Sequence, residues 1–521
     1  MRDTKAKEAA PTGANRREMR EYYASRDRKK TRTVALAVIA ALALLFAGAL
    51  FINSGFMRRI LPAVTIGGTD YSVVDLNYFY QNTFAEYQST IYQSMPDFAE
   101  SMLPTSGKSH KSQVHNEETG ETWAQYVATM AIDRMKEITA MYEDALRNNF
   151  VLPDEDRQRM EEEIEQLRSN IALYGYKSID DYLARMYGNG MNEKAFLRLA
   201  EITYLSDAYS AFKNEEFTYT EQQLNEYYES KKDMLDTFTY RYFLYRADMP
   251  NEADYGDDTA AYEEASAAAV AAAGELAAEV RADIKSEQDF IDAAREYDPV
   301  EYAEDGSTRR VYMGELLGSI YGTWLREAGR KYNDSTTEES SNGHYLVYFI
   351  SREDNMYPTV NARELFVSIA EVNAEDYAED ETGQQYSDAV EEAQAAARSE
   401  AESLYLEWEA AGFTDEKLLE LIPGNSDGTA EDGLYENIYK LQMGAEVDDW
   451  LFDANRAAGD HGLIESADGF RLVYYIGTAE TYHDYLADTR RRKEDFDAWK
   501  DSLGLPEAEN KWAYRFALEN Y

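Results

Sequence analysis

The sequence predicts an α+β protein of several domains, in which a transmembrane helix leads to a mainly helical domain, two tandem α+β domains and C-terminal helices. Three observations predict this class. An uncharged apolar run of 19 residues lies near the N-terminus, long stretches carry apolar residues at helical spacing, and a block of sequence recurs after 126 residues. With 521 residues, the chain is too long for one hydrophobic core.

The apolar run extends from Val34 to Ile52 and would reach roughly 28 Å as a helix, about the thickness of a bilayer core. The leader before it holds 11 Lys and Arg residues, which by the positive-inside rule keep that end in the cytoplasm. We therefore expect a basic cytoplasmic leader over 1–33, a transmembrane helix over 34–53 and an extracytoplasmic remainder, as in a single-pass protein of the cell membrane. A cleavable signal peptide is the alternative, since Ala47-Gly48-Ala49 resembles a cleavage site.

Charge and cysteine content exclude several functional classes. The chain has 99 Asp and Glu against 52 Lys and Arg, for a net charge of -47, so nucleic acid is not an expected partner. The absence of cysteine removes disulfides, thiolate metal sites and thiol nucleophiles. With five histidines and no HExxH, P-loop or GxGxxG motif, the sequence predicts neither a metal site nor a cofactor.

Residues 54–236 are predicted to form a mainly helical domain. Ser72 and Asp75 have the spacing of a capping box at the start of one helix, and another helix is expected from about Thr122 to Asn149. A strand-rich segment begins at Phe238 and marks the end of this domain. A further helix is indicated by apolar residues four, three, four and three positions apart, namely Met160, Ile164, Leu167, Ile171 and Tyr174.

The internal repeat is the strongest feature of the sequence. It predicts two tandem α+β domains over 237–358 and 359–480. The glycine-led strand Gly343 to Ile350 aligns without a gap to Gly469 to Ile476, and both strands are expected in the core. An arginine and an aspartate in each copy are expected to form a helix-end ion pair or cap. The other recurring residues are Trp324, Leu325, Ala328, Arg330 and Asp334, which return as Trp450, Leu451, Ala454, Arg456 and Asp460.

Five segments occur in an order typical of one protein family. They are Ala63 to Tyr80, Asn148 to Asp154, Phe217 to Tyr228, Phe238 to Tyr245, and Asp432 to Tyr435 with Gly469 to Val473. In these segments the chain resembles the SurA/PrsA-type foldases, which combine a helical chaperone domain with parvulin-like peptidyl-prolyl isomerase domains. The resemblance implies that 54–236 is the chaperone domain, that both repeats are parvulin-like, and that 481–521 packs as helices on the chaperone domain.

The departures from the family pattern concern the proline pocket. Active parvulins carry histidines on the first and last strands, whereas this sequence has Tyr242 and Tyr345 in the first repeat and Glu364 and Arg471 in the second. The resemblance therefore implies weak or no isomerase activity and no confident catalytic residue. Glu364 and Arg471 could form a buried ion pair across the two strands, whose loss would strand a charge. The substrate-binding residues that the resemblance implies are Met443, Trp450 and Phe452.

The expected function is that of a foldase or chaperone that binds unfolded, exported polypeptides. The 42 tyrosines fit this expectation, since tyrosine offers a large, rigid contact with a polar tip. Two alternatives stay open, an active parvulin-type isomerase and a scaffold dedicated to assembly with one envelope partner. The sequence indicates no oligomeric state.

Overall fold

The computed structural model describes residues 36–44, 46, 51, 55–171, 173, 175–377 and 383–518. The described chain is an α+β protein of helices and small antiparallel sheets. It divides into two compact units. Unit 1 comprises Met1–Phe217 with Glu494–Tyr521, and unit 2 comprises Thr218–Lys493. The predicted domain boundaries after residues 236, 358 and 480 divide the chain more finely and stay predictions.

The predicted transmembrane helix over 34–53 is corrected. Within the described ranges, no helix is both long and apolar enough to cross a membrane. Of the predicted segment, residues 36–44, 46 and 51 are helical, and its other residues, like the leader 1–33, lie outside the described residues. The prediction relied on apolar composition, which does not fix the length of a helix, and a span needs about 20 helical residues. The predicted single-pass membrane localisation is corrected for the same reason.

Unit 1 is built mainly from helices, numbered here from residue 55. Capping boxes at Ser72 with Asp75 and at Thr122 with Gln125 begin its two long central helices, as the sequence predicts for Ser72. The elements are α1 Gly55–Ile60, β1 Pro62–Ile66, β2 Thr69–Ser72, α2 Val73–Ser94, α3 Ala99–Met102, β3 Val114–Asn116, β4 Glu121–Thr122, α4 Trp123–Arg147, α5 Asp154–Ile171, α6 Ile179–Tyr187 and α7 Glu193–Glu216.

The C-terminal residues of unit 1 complete its core. The resemblance implies helices over 481–521, but the last part of this segment forms strand β13 (Ala508–Asn510) and a 3₁₀ turn (Trp512–Phe516). Strand β13 pairs antiparallel with β1, which lies between β13 and β2. The backbone N–H of Leu518 donates to the buried Asn77 side chain at 2.8 Å. Pairing with a free strand edge therefore outweighs the local helical pattern.

Unit 2 contains both copies of the repeat. Its elements are α8 Glu221–Leu235, β5 Thr237–Arg246, α9 Thr259–Asp283, α10 Glu287–Tyr297, β6 Arg309–Met313, α11 Gly322–Arg326, β7 Ser335–Ser340, β8 Gly343–Glu353, β9 Pro358–Ser368, α12 Gln384–Ala410, α13 Asp415–Leu421, β10 Leu434–Ile438, α14 Ala445–Leu451, β11 His461–Ser466 and β12 Gly469–Thr481. Helix α15, Tyr482–Leu503, contains residues of both units.

The two sheets of unit 2 have the same topology. The strand order is β6-β5-β8-β7 in the first repeat and β10-β9-β12-β11 in the second, and all neighbours are antiparallel. In each sheet the first and last strands of the repeat are the central pair. A glycine begins the last strand in both copies because a Cβ on Gly343 or Gly469 would lie 2.2 or 2.3 Å from a carbonyl oxygen of the neighbouring strand. The sequence repeat is thus a structural repeat.

Candidate functional site: the cleft of the second repeat

A buried arginine fixes the first strand of each repeat. Arg363 on β9 donates from Nε to Asp415 at 2.6 Å and from a terminal nitrogen to the carbonyl oxygen of Asp432. Arg241 on β5 does the same with Glu287, at 2.7 Å, and with the carbonyl oxygen of Asp305. Both carboxylates lie at the start of a helix, and both carbonyls precede the glycine of a turn. These arginines hold the turn beside the first strand in both copies.

A second recurring arginine packs on a tryptophan ring in both repeats. Arg330 and Arg456 lie over the rings of Trp324 and Trp450, with guanidinium carbons 3.8 and 3.7 Å from the ring centroids. Each also donates from Nε to the carbonyl oxygen of its own tryptophan, at 3.1 and 3.0 Å. The expected ion pairs with the recurring aspartates are present at 3.8 and 3.5 Å. The recurring Trp, Arg and Asp therefore form one structural cluster.

The register of the central strands brings Glu364 and Arg471 together. Glu364 on β9 pairs with Val473 on β12, which places Arg471 diagonally across from it. Glu364 Oε2 lies 3.4 Å from Arg471 Nε, and both residues are buried, at 5% and 9% exposure. Among the described residues, neither of these two atoms has a hydrogen-bond partner. The predicted pair is in contact, but it is not hydrogen-bonded.

The main partner of Arg471 is Asp468, in the turn before β12. The two terminal nitrogens of Arg471 donate to the two carboxylate oxygens of Asp468 at 2.8 and 2.7 Å. The guanidinium also lies over the ring of Phe366, 4.0 Å from its centroid. The charge of Arg471 is therefore compensated by a residue of the turn and not by Glu364 on the neighbouring strand.

Burial controls the protonation of this group of side chains. Desolvation raises the pKa of Glu364 from 4.5 to about 7, and the attraction of Arg471 only partly opposes it. The hydrogen bonds from Arg471 hold the pKa of Asp468 well below its usual range. The two carboxylates on either side of one guanidinium thus differ widely in pKa. Asp468 is the ionised partner of Arg471, and Glu364 titrates near neutral pH.

Glu364 and Arg471 line the floor of an open cleft of about 610 Å³. Helix α14 and the turn before it form one wall, and the loop before β10 forms another. Of the three predicted substrate-binding residues, Met443 lines this cleft. Phe452 lies instead edge-on to Tyr357, with ring centroids 5.9 Å apart, and Trp450 lies under Arg456. The other side chains that line the cleft include Phe366, Asp427, Tyr435, Glu446 and Asp468.

The equivalent face of the first repeat is filled by tyrosines. Tyr242 and Tyr345 have ring centroids 5.7 Å apart, and Tyr321 stacks on Tyr242 at 5.5 Å. Tyr240 lies below them, with its hydroxyl 3.5 Å from that of Tyr321. Arg310 covers the ring of Tyr242 at 4.8 Å. These rings pack on one another where the second repeat has a cleft.

Sequence reasoning missed Asp468 and Asp427. Asp468 corresponds to Asn342 in the first repeat. The repeat alignment therefore contained a signal, because an acidic residue replaces a neutral one close to a strand position that also differs between the copies. Asp427 accepts from the backbone N–H and the hydroxyl of Ser368, at 2.9 and 2.7 Å, and lies in a loop that the alignment did not cover. Nothing in the local sequence places it at the cleft.

Comparison with solved structures gives coarse likenesses, one of them to a PrsA protein. No protein-family model and no curated protein matches the chain. A crystal structure of PrsA from Bacillus subtilis is similar at 12% sequence identity, over 52% of this chain and 85% of that one, with a TM-score of 0.14. The comparison therefore gives a coarse resemblance to a PrsA-type foldase.

Proposed function

We propose that the chain is a polypeptide-binding chaperone of the foldase type, and that the cleft of the second repeat is its peptide site. The observation that carries the proposal is the difference between the two repeats. They share one scaffold, yet the second leaves a cleft of about 610 Å³ where the first packs tyrosines. A cleft that joins aromatic and thioether side chains to a few polar groups is typical of peptide sites.

The floor of the cleft favours binding over isomerisation. Twisting a prolyl amide is favoured by a desolvated pocket without charges, because the twisted amide loses its polarity. Here the floor carries Glu364, Arg471 and Asp468, so the reacting amide would lie beside three ionisable groups. We therefore propose weak or no prolyl isomerase activity.

The test measures both activities on the same protein. The full chain should suppress the aggregation of several unrelated unfolded proteins, and it should accelerate cis/trans exchange of a Xaa-Pro peptide little above the uncatalysed rate. Met443→Ala should weaken suppression, because it removes an apolar contact at the cleft. Leu406→Ala is the matched control, since Leu406 is 62% exposed on α12 and does not line the cleft.

Three results would contradict the proposal. If Met443→Ala and Leu406→Ala suppress aggregation equally well, the cleft does not bind the clients. Rapid isomerisation that Met443→Ala abolishes would favour the enzyme. Suppression of one client among many would favour a dedicated scaffold.

A further inference from the structure

The floor of the cleft contains a hydrogen-bond acceptor for which the described residues supply no donor. Glu364 is only 5% exposed, and its Oε2 atom has no hydrogen-bond partner in the part of the chain that the structure describes. The neighbouring Arg471 Nε is 3.4 Å away and is also without a hydrogen-bond partner. A buried carboxylate oxygen in this position is costly unless another donor reaches it.

The charges around the cleft favour a cationic donor. Of the described residues, four carboxylates line it, those of Glu364, Asp427, Glu446 and Asp468, against the single guanidinium of Arg471. The bidentate bonds from Arg471 go to Asp468, so this cation is already neutralised. An incoming anion would meet an excess of negative charge, whereas a cation would reduce it.

The walls suit the aliphatic part of a long basic side chain. Phe366, Tyr435 and Met443 are half-buried and line the same cleft. Lysine and arginine bury their methylene stems along such surfaces while the charged end seeks an acceptor. The net charge of the whole chain, -47, would also attract basic segments of a client toward it.

We propose that the cleft selects polypeptide segments with a lysine or arginine side chain, which inserts between the apolar walls and donates to Glu364. This inference rests on the proposed function, because it names the class of polypeptide that the same site prefers. Glu364 is the specificity residue, Asp468 keeps it available by holding Arg471, and Glu446 contributes at the rim.

The test uses the full chain and four fluorescently labelled peptides that differ only in a central Lys, norleucine, Gln or Glu. Binding is followed by fluorescence anisotropy at pH 8. The lysine peptide should bind about tenfold more tightly than the norleucine peptide, as for a hydrogen bond to a charged group. Glu364→Gln should reduce this preference to about twofold. Glu392→Gln is the matched control, an exposed residue of α12 outside the cleft with the same change of charge.

A second variant tests the role of Asp468. Asp468→Asn should free Arg471 to pair with Glu364 and should lower the lysine preference as well, whereas Glu446→Gln should have a smaller effect. Equal losses in Glu364→Gln and Glu392→Gln would overturn the inference in favour of a diffuse acidic surface. Equal affinity for all four peptides would overturn it while leaving the proposed function in place. Failure of every peptide to bind, together with failure to suppress aggregation, would reject the proposed function itself.

Discussion

Replacing Glu364 with glutamine should stabilise the second repeat above neutral pH. The pKa of Glu364 is raised from 4.5 to about 7, mainly because burial disfavours its charged form. A group whose pKa is raised on folding contributes fully to stability below its unfolded pKa, and this contribution is lost as the pH rises through the folded value. One pKa unit corresponds to about 1.4 kcal/mol, so ionised Glu364 lowers the free energy of unfolding by about 3 kcal/mol at pH 8.

The sequence alone predicts the opposite, namely that losing Glu364 lowers the stability of the second repeat. Removing one partner of a buried ion pair costs about 3–5 kcal/mol when it leaves an uncompensated charge. The structure decides between the two, because Arg471 keeps its bidentate hydrogen bonds to Asp468 when Glu364 becomes neutral. No charge is stranded by this substitution.

Native-state hydrogen exchange in β9 and β12 measures the effect locally, which suits a chain of several cooperative units. At pH 8 the amides of Glu364→Gln that exchange by unfolding of the repeat should exchange about 100-fold more slowly than those of the wild type. At pH 5 the two proteins should differ in their free energy of unfolding by less than about 1 kcal/mol. Comparison at one pH cancels the intrinsic exchange rate. Faster exchange in the variant at pH 8 would show that Arg471 depends on Glu364 and would refute the reasoning.

Three further predictions concern the scaffold. Arg363→Lys should destabilise the second repeat by about 2–4 kcal/mol in urea unfolding, since lysine cannot bond both Asp415 and the turn carbonyl, and an unchanged midpoint would exclude that role. Gly469→Ala should also destabilise it, because the added Cβ would lie 2.3 Å from a backbone oxygen, whereas Gly306→Ala meets no atom within 4 Å and should be tolerated in the same assay. Deleting residues 508–521 should lower the melting temperature of unit 1, because it exposes the β1 edge and the buried Asn77 side chain, and an equal melting curve would argue against this packing.

The sequence predicted features that depend on local or periodic order. The capping box at Ser72 was predictable because its two hydrogen bonds join residues three apart. The equivalence of Trp324 and Arg330 with Trp450 and Arg456 was predictable because one fold repeated in tandem imposes the same contacts twice. The segment 509–518 was not predictable in this way, because its strand partner lies more than 400 residues earlier. The span over 34–53 was wrong because it was inferred from apolarity without knowledge of helix length.

The floor of the cleft shows most clearly where sequence reasoning ends. The family resemblance was sufficient to place Glu364 and Arg471 on two neighbouring strands, and the register of those strands brings the two residues into contact. It could not say which carboxylate Arg471 would bond, because a long guanidinium side chain also reaches the turn three residues before it. That choice depends on turn geometry, and it determines whether Glu364 is satisfied within the protein. Since Asp468 binds Arg471, Glu364 Oε2 keeps no hydrogen-bond partner among the described residues, and a single turn residue creates the acceptor that we propose for a ligand.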